Sequence, residues 1–165
     1  LARTDALTGA LNSRAFYEVA ANRLERCQRK GRPFTLAYMD LDNFKFINDR
    51  LGHLKGDEVL RAVAETMQKT LRSTDIIARL GGDEFVILLP NAYPEAAQHA
   101  IERARLALGQ RMPQEHWPVT FSIGLVTCDC SKGETDLEAL IRAADDAMYV
   151  AKRKGKNTID QNLLS

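Results

Sequence analysis

The stretch Ile76-Ile77-Ala78-Arg79-Leu80-Gly81-Gly82-Asp83-Glu84-Phe85-Val86-Ile87-Leu88-Leu89 sets two apolar runs on either side of a glycine-rich, acidic break. Runs of that length, bounded by turn residues, predict a β-hairpin with Gly81 and Gly82 at its tip. Upstream, Gly56 to Leu71 carries Leu60, Val63, Met67 and Leu71 on one stripe, which predicts a helix. Before it come a short helix around Asn43 to Leu51, closed by Gly52, and an apolar strand from Phe34 to Leu41. Ser13 to Lys30 reads as a helix stopped by Gly31-Arg32-Pro33. Downstream, Pro94 to Leu108 is an alanine-rich helix with proline in its first turn. Val119 to Val126 is a further strand. Thr135 and Glu138 have capping-box spacing ahead of a helical stripe through Leu137, Leu140, Ile141, Ala144 and Met148. Thr158-Ile159 reads as a short last strand. The order α β α α β β α β α β predicts an α/β (α+β) domain whose mixed central sheet is flanked by helices. Strand order does not follow from this pattern.

The 165 residues suit one domain with a real core. Lys and Arg number 23 against 22 Asp and Glu, so no broad basic field for a nucleic-acid duplex or an anionic membrane is expected. The cysteines, Cys27, Cys128 and Cys130, are odd in number and irregularly spaced, which argues against a disulfide framework and fits a reducing cytoplasm. Cys128-x-Cys130 lacks a second Cys or His pair to complete a tetrahedral metal site. No apolar run approaches the roughly 20 residues that span a bilayer, and none of these residues reads as a signal peptide. The chain opens at Leu1 without Met, so residues 1–165 are expected to be a single domain excised from a longer protein.

Two acidic spots adjoin buried-looking strands. Asp40 and Asp42 end the Phe34 run and share one face while sheet geometry lasts. Asp83 and Glu84 lie at the hairpin tip. Solvated turn carboxylates would look the same. Taken together, the two spots suit a hard divalent cation, because Mg²⁺ prefers a few carboxylates plus phosphate oxygens. Glycines 81 and 82 would let backbone approach a triphosphate where a Cβ would obstruct it.

Gly81-Gly82-Asp83-Glu84-Phe85 resembles the signature of GGDEF domains, and the resemblance covers nearly the whole chain. Asp5-Ala6-Leu7-Thr8-Gly9-Ala10-Leu11-Asn12 resembles that family's opening segment. Asp40-Leu41-Asp42-Asn43-Phe44-Lys45-Phe46-Ile47-Asn48-Asp49 resembles its D-x-D-x-F-K-x-I-N-D segment. Leu51-Gly52-His53 and Gly56-Asp57-Glu58 follow, and Met148-Tyr149 through Lys152, Gly155, Lys156 and Asn157 resembles its close.

The resemblance implies a five-stranded, mostly antiparallel sheet of the nucleotidyl cyclase palm (ferredoxin-like) type. It also implies an enzyme, a diguanylate cyclase that condenses two GTP into cyclic di-GMP and releases two pyrophosphates. Two Mg²⁺ ions per site, or Mn²⁺ in their place, would be held by Asp40, Asp83, Glu84 and the Leu41 carbonyl. Asp83 or Glu84 would accept the 3′-hydroxyl proton. Lys45, Lys152 and Lys156 would meet phosphates. The family often has Arg where Lys156 stands, and Lys lacks the bidentate fork. Asn48 and Asp57 would read guanine, with Phe44, Gly81 and Gly82 lining the substrate and His53 as a structural or phosphate-side contact. Asn48 alone could equally be a polar helix end, and Asp57 an N-terminal helix carboxylate.

Arg72-Ser73-Thr74-Asp75 and Arg103 match the positions of the family's inhibitory product site. One copy of each motif gives one GTP site, so a two-fold product calls for a homodimer of facing domains. An upstream sensory or dimerisation domain would bring the partners together. The expected location is the cytoplasm, with no direct membrane contact by this domain, although the parent could be membrane-anchored. The competing reading is a catalytically silent GGDEF module that senses cyclic di-GMP or GTP.

Overall fold

The computed structural model describes residues 1–132 and 135–164. Helix α1 spans Ser13–Lys30, with the Asn12 side chain accepting from the Ala15 amide at 2.9 Å and Gly31 closing it at φ 62°. Strand β1 is Phe34–Asp42, α2 is Phe44–Leu51 and α3 is His53–Thr70. Strands β2 (Ile76–Gly81) and β3 (Glu84–Pro90) form the hairpin. Then come α4 (Pro94–Gln114), β4 (Thr120–Cys128), a 3₁₀ turn at Cys130–Lys132, α5 (Leu137–Arg153) and β5 (Ile159–Leu164).

Several bounds differ from expectation. Helix α3 begins at His53, because Gly52 at φ 90° ends α2 and the chain re-enters a helix at once. Helix α4 runs past Leu108 to Gln114, since Leu108 and Met112 continue its buried stripe. The cap of α5 is Asp136, whose carboxylate accepts from the Glu138 amide at 3.2 Å. Thr135 instead accepts from the Cys128 thiol at 3.1 Å. Strand β5 reaches Leu164, because it pairs along β4 in parallel.

The sheet order is β2-β3-β1-β4-β5, antiparallel except for β4 and β5. The parallel pair needs a crossover, and α5 supplies it. Side chains alternate across the sheet. Met39, Leu41, Phe85, Ile87, Phe121 and Ile123 face α3 and α4. Phe34, Leu36, Tyr38, Val86, Leu88 and Val126 face α1 and α5. Central β1 is therefore buried on both faces almost to its end.

Gly124 lets α5 lie directly on β4. A Cβ there would sit 2.0 Å from the Ala144 carbonyl oxygen and 2.3 Å from the Met148 amide nitrogen, both backbone atoms that cannot swing aside. Gly124→Ala should force α5 off the sheet and cost about 1–3 kcal/mol or more, as overpacking does. An unchanged urea midpoint would contradict that packing.

Candidate active site

Alternation on β1 puts Tyr38, Asp40 and Asp42 on the α1/α5 face. In register, Asp40 stands opposite Glu84 on β3 and Ser122 on β4, and Asp42 stands opposite Thr120. The hairpin folds its tip back over this end: the Leu41 amide reaches the Asp83 carbonyl at 3.4 Å. Gly82, at φ 49°, turns the chain there, and a Cβ on Gly81 or Gly82 would meet no protein atom. The space over the tip is thus left open, as an approaching phosphate chain requires.

The hairpin tip brings the Asp83 carboxylate near enough to Asp40 for its charge to bear on it. Burial first, and the Asp83 charge second, push Asp40 up to about 6, while Lys152 opposes the rise. Lys152, near the end of α5, places Nζ 3.2 Å from Asp40 Oδ2 and 3.1 Å from Asp42 Oδ1. Asp40 Oδ1 is buried and takes no hydrogen bond. An orphaned carboxylate oxygen beside a second carboxylate is the donor set a hard cation completes. Among the described residues no three His, Cys, Asp or Glu side chains form a cage of their own.

Glu84 is also raised, chiefly by burial. The neighbouring Tyr38 hydroxyl opposes that rise, while the charges of Asp40 and Asp145 add to it. Asp83 and Glu84 both flank Asp40, because the turn relaxes strand alternation. Asp42 behaves differently. Its side chain is fully buried, yet hydrogen bonds hold its pKa down against burial. Oδ2 accepts from Thr120 Oγ1 at 2.7 Å and the Asn157 amide at 3.1 Å, and Oδ1 accepts from Ser122 Oγ at 2.7 Å.

A second cluster forms where α2 meets α3. A Cβ on Gly56 would fall 2.0 Å from Asn48 Oδ1 and 3.3 Å from the Phe44 ring, so α3 packs straight onto those side chains. Half-buried Asp57 follows Gly56 in the chain, and Phe44 is part of the core. Lys45, His53 and Lys156 are exposed.

The Asp75 carboxylate is buried, accepting from the Arg72 amide at 2.9 Å and from Arg72 Nη2 at 3.2 Å. Arg72 itself is 57% exposed. Both line a cavity of about 460 Å³ with Leu11, Arg23, Gln68 and Ser73. Arg103 is exposed on α4 and does not line that cavity.

Arg79 and Tyr38 are additions to the residues expected from sequence. Arg79 donates to the Gly82 carbonyl at 2.9 Å and to Asp5 Oδ1 at 3.1 Å, tying the hairpin tip to the opening segment. Leu11 continues that tie by bridging to Ala78 at the edge of β2. Tyr38 was legible only as the residue two before Asp40 on the same face.

A family model described as diguanylate cyclase, GGDEF domain, matches residues 2–158. Diguanylate cyclase DgcP of Pseudomonas aeruginosa is 40% identical over 96% of this chain and 24% of its own length. Diguanylate cyclase DosC of Escherichia coli K12 is 36% identical over 94% of this chain and 34% of its own. The chain thus spans between a quarter and about a third of these curated relatives. The GGDEF domain of DgcB from Caulobacter crescentus, in complex with c-di-GMP, superposes with TM-score 0.88 at 28% identity, covering 98% of this chain and 96% of that one. Diguanylate cyclase SiaD of P. aeruginosa, in complex with its activator SiaC, also gives 0.88, at 34% identity over 96% of this chain and 61% of that one.

The raised Asp40 favours folding most when protonated, so its contribution is full below the ordinary value of 3.8 and is lost as pH rises through about 6. In chelator above pH 7, Asp40→Asn should therefore be more stable than the parent, with the gap closing towards pH 4. Urea unfolding across pH measures it, and a less stable variant at pH 8 would contradict the crowded carboxylate pair.

Proposed function

The chain belongs to the GGDEF domain family, and from that premise we propose that it is a diguanylate cyclase domain, joining two GTP into cyclic di-GMP with release of two pyrophosphates. The observation that carries this reading is the Asp40–Asp83 pair, with its unpartnered Asp40 oxygen, beneath an open glycine turn. Asp40, Asp83, Glu84 and the Leu41 carbonyl would hold Mg²⁺ or Mn²⁺, two ions per site. The chemistry such ions supply when bound is neutralisation of the triphosphate and acidification of the attacking hydroxyl.

The chain's own residues do the rest. Asp83, or Glu84 beside Tyr38, accepts the 3′-hydroxyl proton. Lys45, Lys152 and Lys156 take the phosphates, with His53 beside them. Lys152 already bridges two carboxylates, so it keeps its charge inside the site. Asn48 and Asp57 present acceptors to the guanine N1–H and N2–H₂ edge, which adenine does not offer in the same way. A site built on such hydrogen bonds discriminates strongly. Phe44 backs that pocket, and glycines 81 and 82 admit the triphosphate.

The product is two-fold symmetric and each domain carries one site, so two copies face each other. Each 3′-oxygen attacks the α-phosphate held by the partner. Positioning and charge neutralisation supply most of the acceleration. In a longer parent, an upstream sensory or dimerisation domain would gather the partners. The cytoplasm, where GTP is abundant, is the proposed location. Among the described residues no helix is long and apolar enough to cross a membrane. The silent-sensor reading is disfavoured because Asp40, Asp83 and Glu84 are all present.

Arg72, Asp75 and Arg103 are proposed to bind the product as a feedback inhibitor. The bound c-di-GMP in the DgcB domain shows that a relative of this fold takes that ligand. The planar fork of Arg72, exposed beside its buried partner, suits guanine edges and phosphate.

Incubated with GTP and Mg²⁺, the domain should form cyclic di-GMP at a rate per chain that rises with protein concentration. Asp83→Ala should lower the rate by about 10²-fold or more. Parent activity equal to that control would sink the cyclase reading, and a concentration-independent rate would sink the facing pair. Arg72→Ala should leave the initial rate intact and remove inhibition by added product. Inhibition of parental strength in that variant would refute the product site.

A further inference from the structure

The turn that follows α5 is strained. Gly155, Lys156 and Asn157 all have positive φ, at 116°, 67° and 48°, and two of them carry side chains. Such backbone persists only where its surroundings over-determine it. Two grips do so here. From inside, Asp42 receives the Asn157 amide at 3.1 Å, and that same carboxylate fixes Lys152 Nζ at 3.1 Å. From outside, Arg105 on α4 donates Nη1 to Asn157 Oδ1 at 3.0 Å and to its carbonyl at 3.4 Å. The other edge of the Arg105 fork rests on Glu102, with Nε 3.0 Å from Oε2. The guanidinium is thus aimed by one carboxylate and spends its free edge on the turn. The Lys156 amide donates back to the Ala151 carbonyl at 3.2 Å, locking the turn onto the end of α5.

We propose that Arg105 is a positioning residue: together with Asp42 it clamps the Gly155–Asn157 turn, so that Lys152 and Lys156 meet the triphosphate in one fixed arrangement. The inference rests on the reading of this sheet end as the GTP site. A clamp differs from a general positive field. A lysine at 105 would keep the charge but could not serve Glu102 and Asn157 together, because it lacks the planar fork. Loss of the clamp leaves the carboxylates and the guanine-facing residues untouched. Its cost therefore falls on substrate binding, through the entropy of re-ordering a loosened cationic turn.

The experiment compares the parent, Arg105→Ala and Arg105→Lys by steady-state kinetics with GTP, and by amide hydrogen exchange without nucleotide. Both variants should raise KM for GTP by about tenfold while kcat stays within about threefold of the parent. The Asn157 amide should exchange about tenfold faster in both, while amides of β1 keep parental protection. Parental KM in Arg105→Ala, or full function in Arg105→Lys, would overturn the clamp, the latter by showing that charge alone suffices. Parental exchange at Asn157 would also overturn it. That exchange measurement judges the clamp even if the parent turns over no GTP, an outcome that would refute the cyclase reading separately.

Discussion

Two carboxyl groups forced together at the end of a buried strand govern this molecule. Asp40 is carried there by the central strand of the sheet, and the hairpin tip brings Asp83 against it. Like charges at such range cannot both ionise without help. Lys152 supplies part of that help and Asp42 holds Lys152 in place, yet one Asp40 oxygen still lacks a partner. The site is built short of positive charge, and a triphosphate with its cations would restore the balance.

The rest of the fold serves that crowding. Hydrophobic layers on both faces keep β1 buried almost to its last residues. Gly124 brings α5 close enough for Lys152 to reach across the strand end. Arg79 braces the tip against the opening segment, so the position of Asp83 depends on residues far away in the chain. Asp42 shows how unlike neighbouring acids can be: it is buried near Asp40, but its four hydrogen bonds make it a post, whereas Asp40 is left needing a ligand.

Most of the elements were legible in sequence, because apolar periodicity and the Gly, Pro and Asn boundaries agree with one another. The hairpin, β1, α1 and α5 are cases in point. Strand order was not legible, since pairing partners lie far apart along the chain. The end of α4 was hidden because Gly109 and Pro113 argue locally against a helix that Met112 sustains by burial. The length of β5 was hidden because its alternation is weak and its partner is β4. The acidic pair was visible as two motifs, but the convergence of Asp40 with Asp83 depends on β1 lying next to β3. Arg79 and Arg105 escaped for the same reason: nothing in their own neighbourhood marks them, and only the folded sheet brings them to Gly82 and Asn157.

The central claim is tested most directly by anomalous diffraction from crystals of the domain grown with Mn²⁺ and a non-hydrolysable GTP analogue. An ion should appear between Asp40 and Asp83, within about 2.0–2.3 Å of Asp40 Oδ1, with nucleotide phosphate oxygens completing its shell. A nucleotide bound with its metal away from both carboxylates, and Asp40 Oδ1 still unligated, would contradict it.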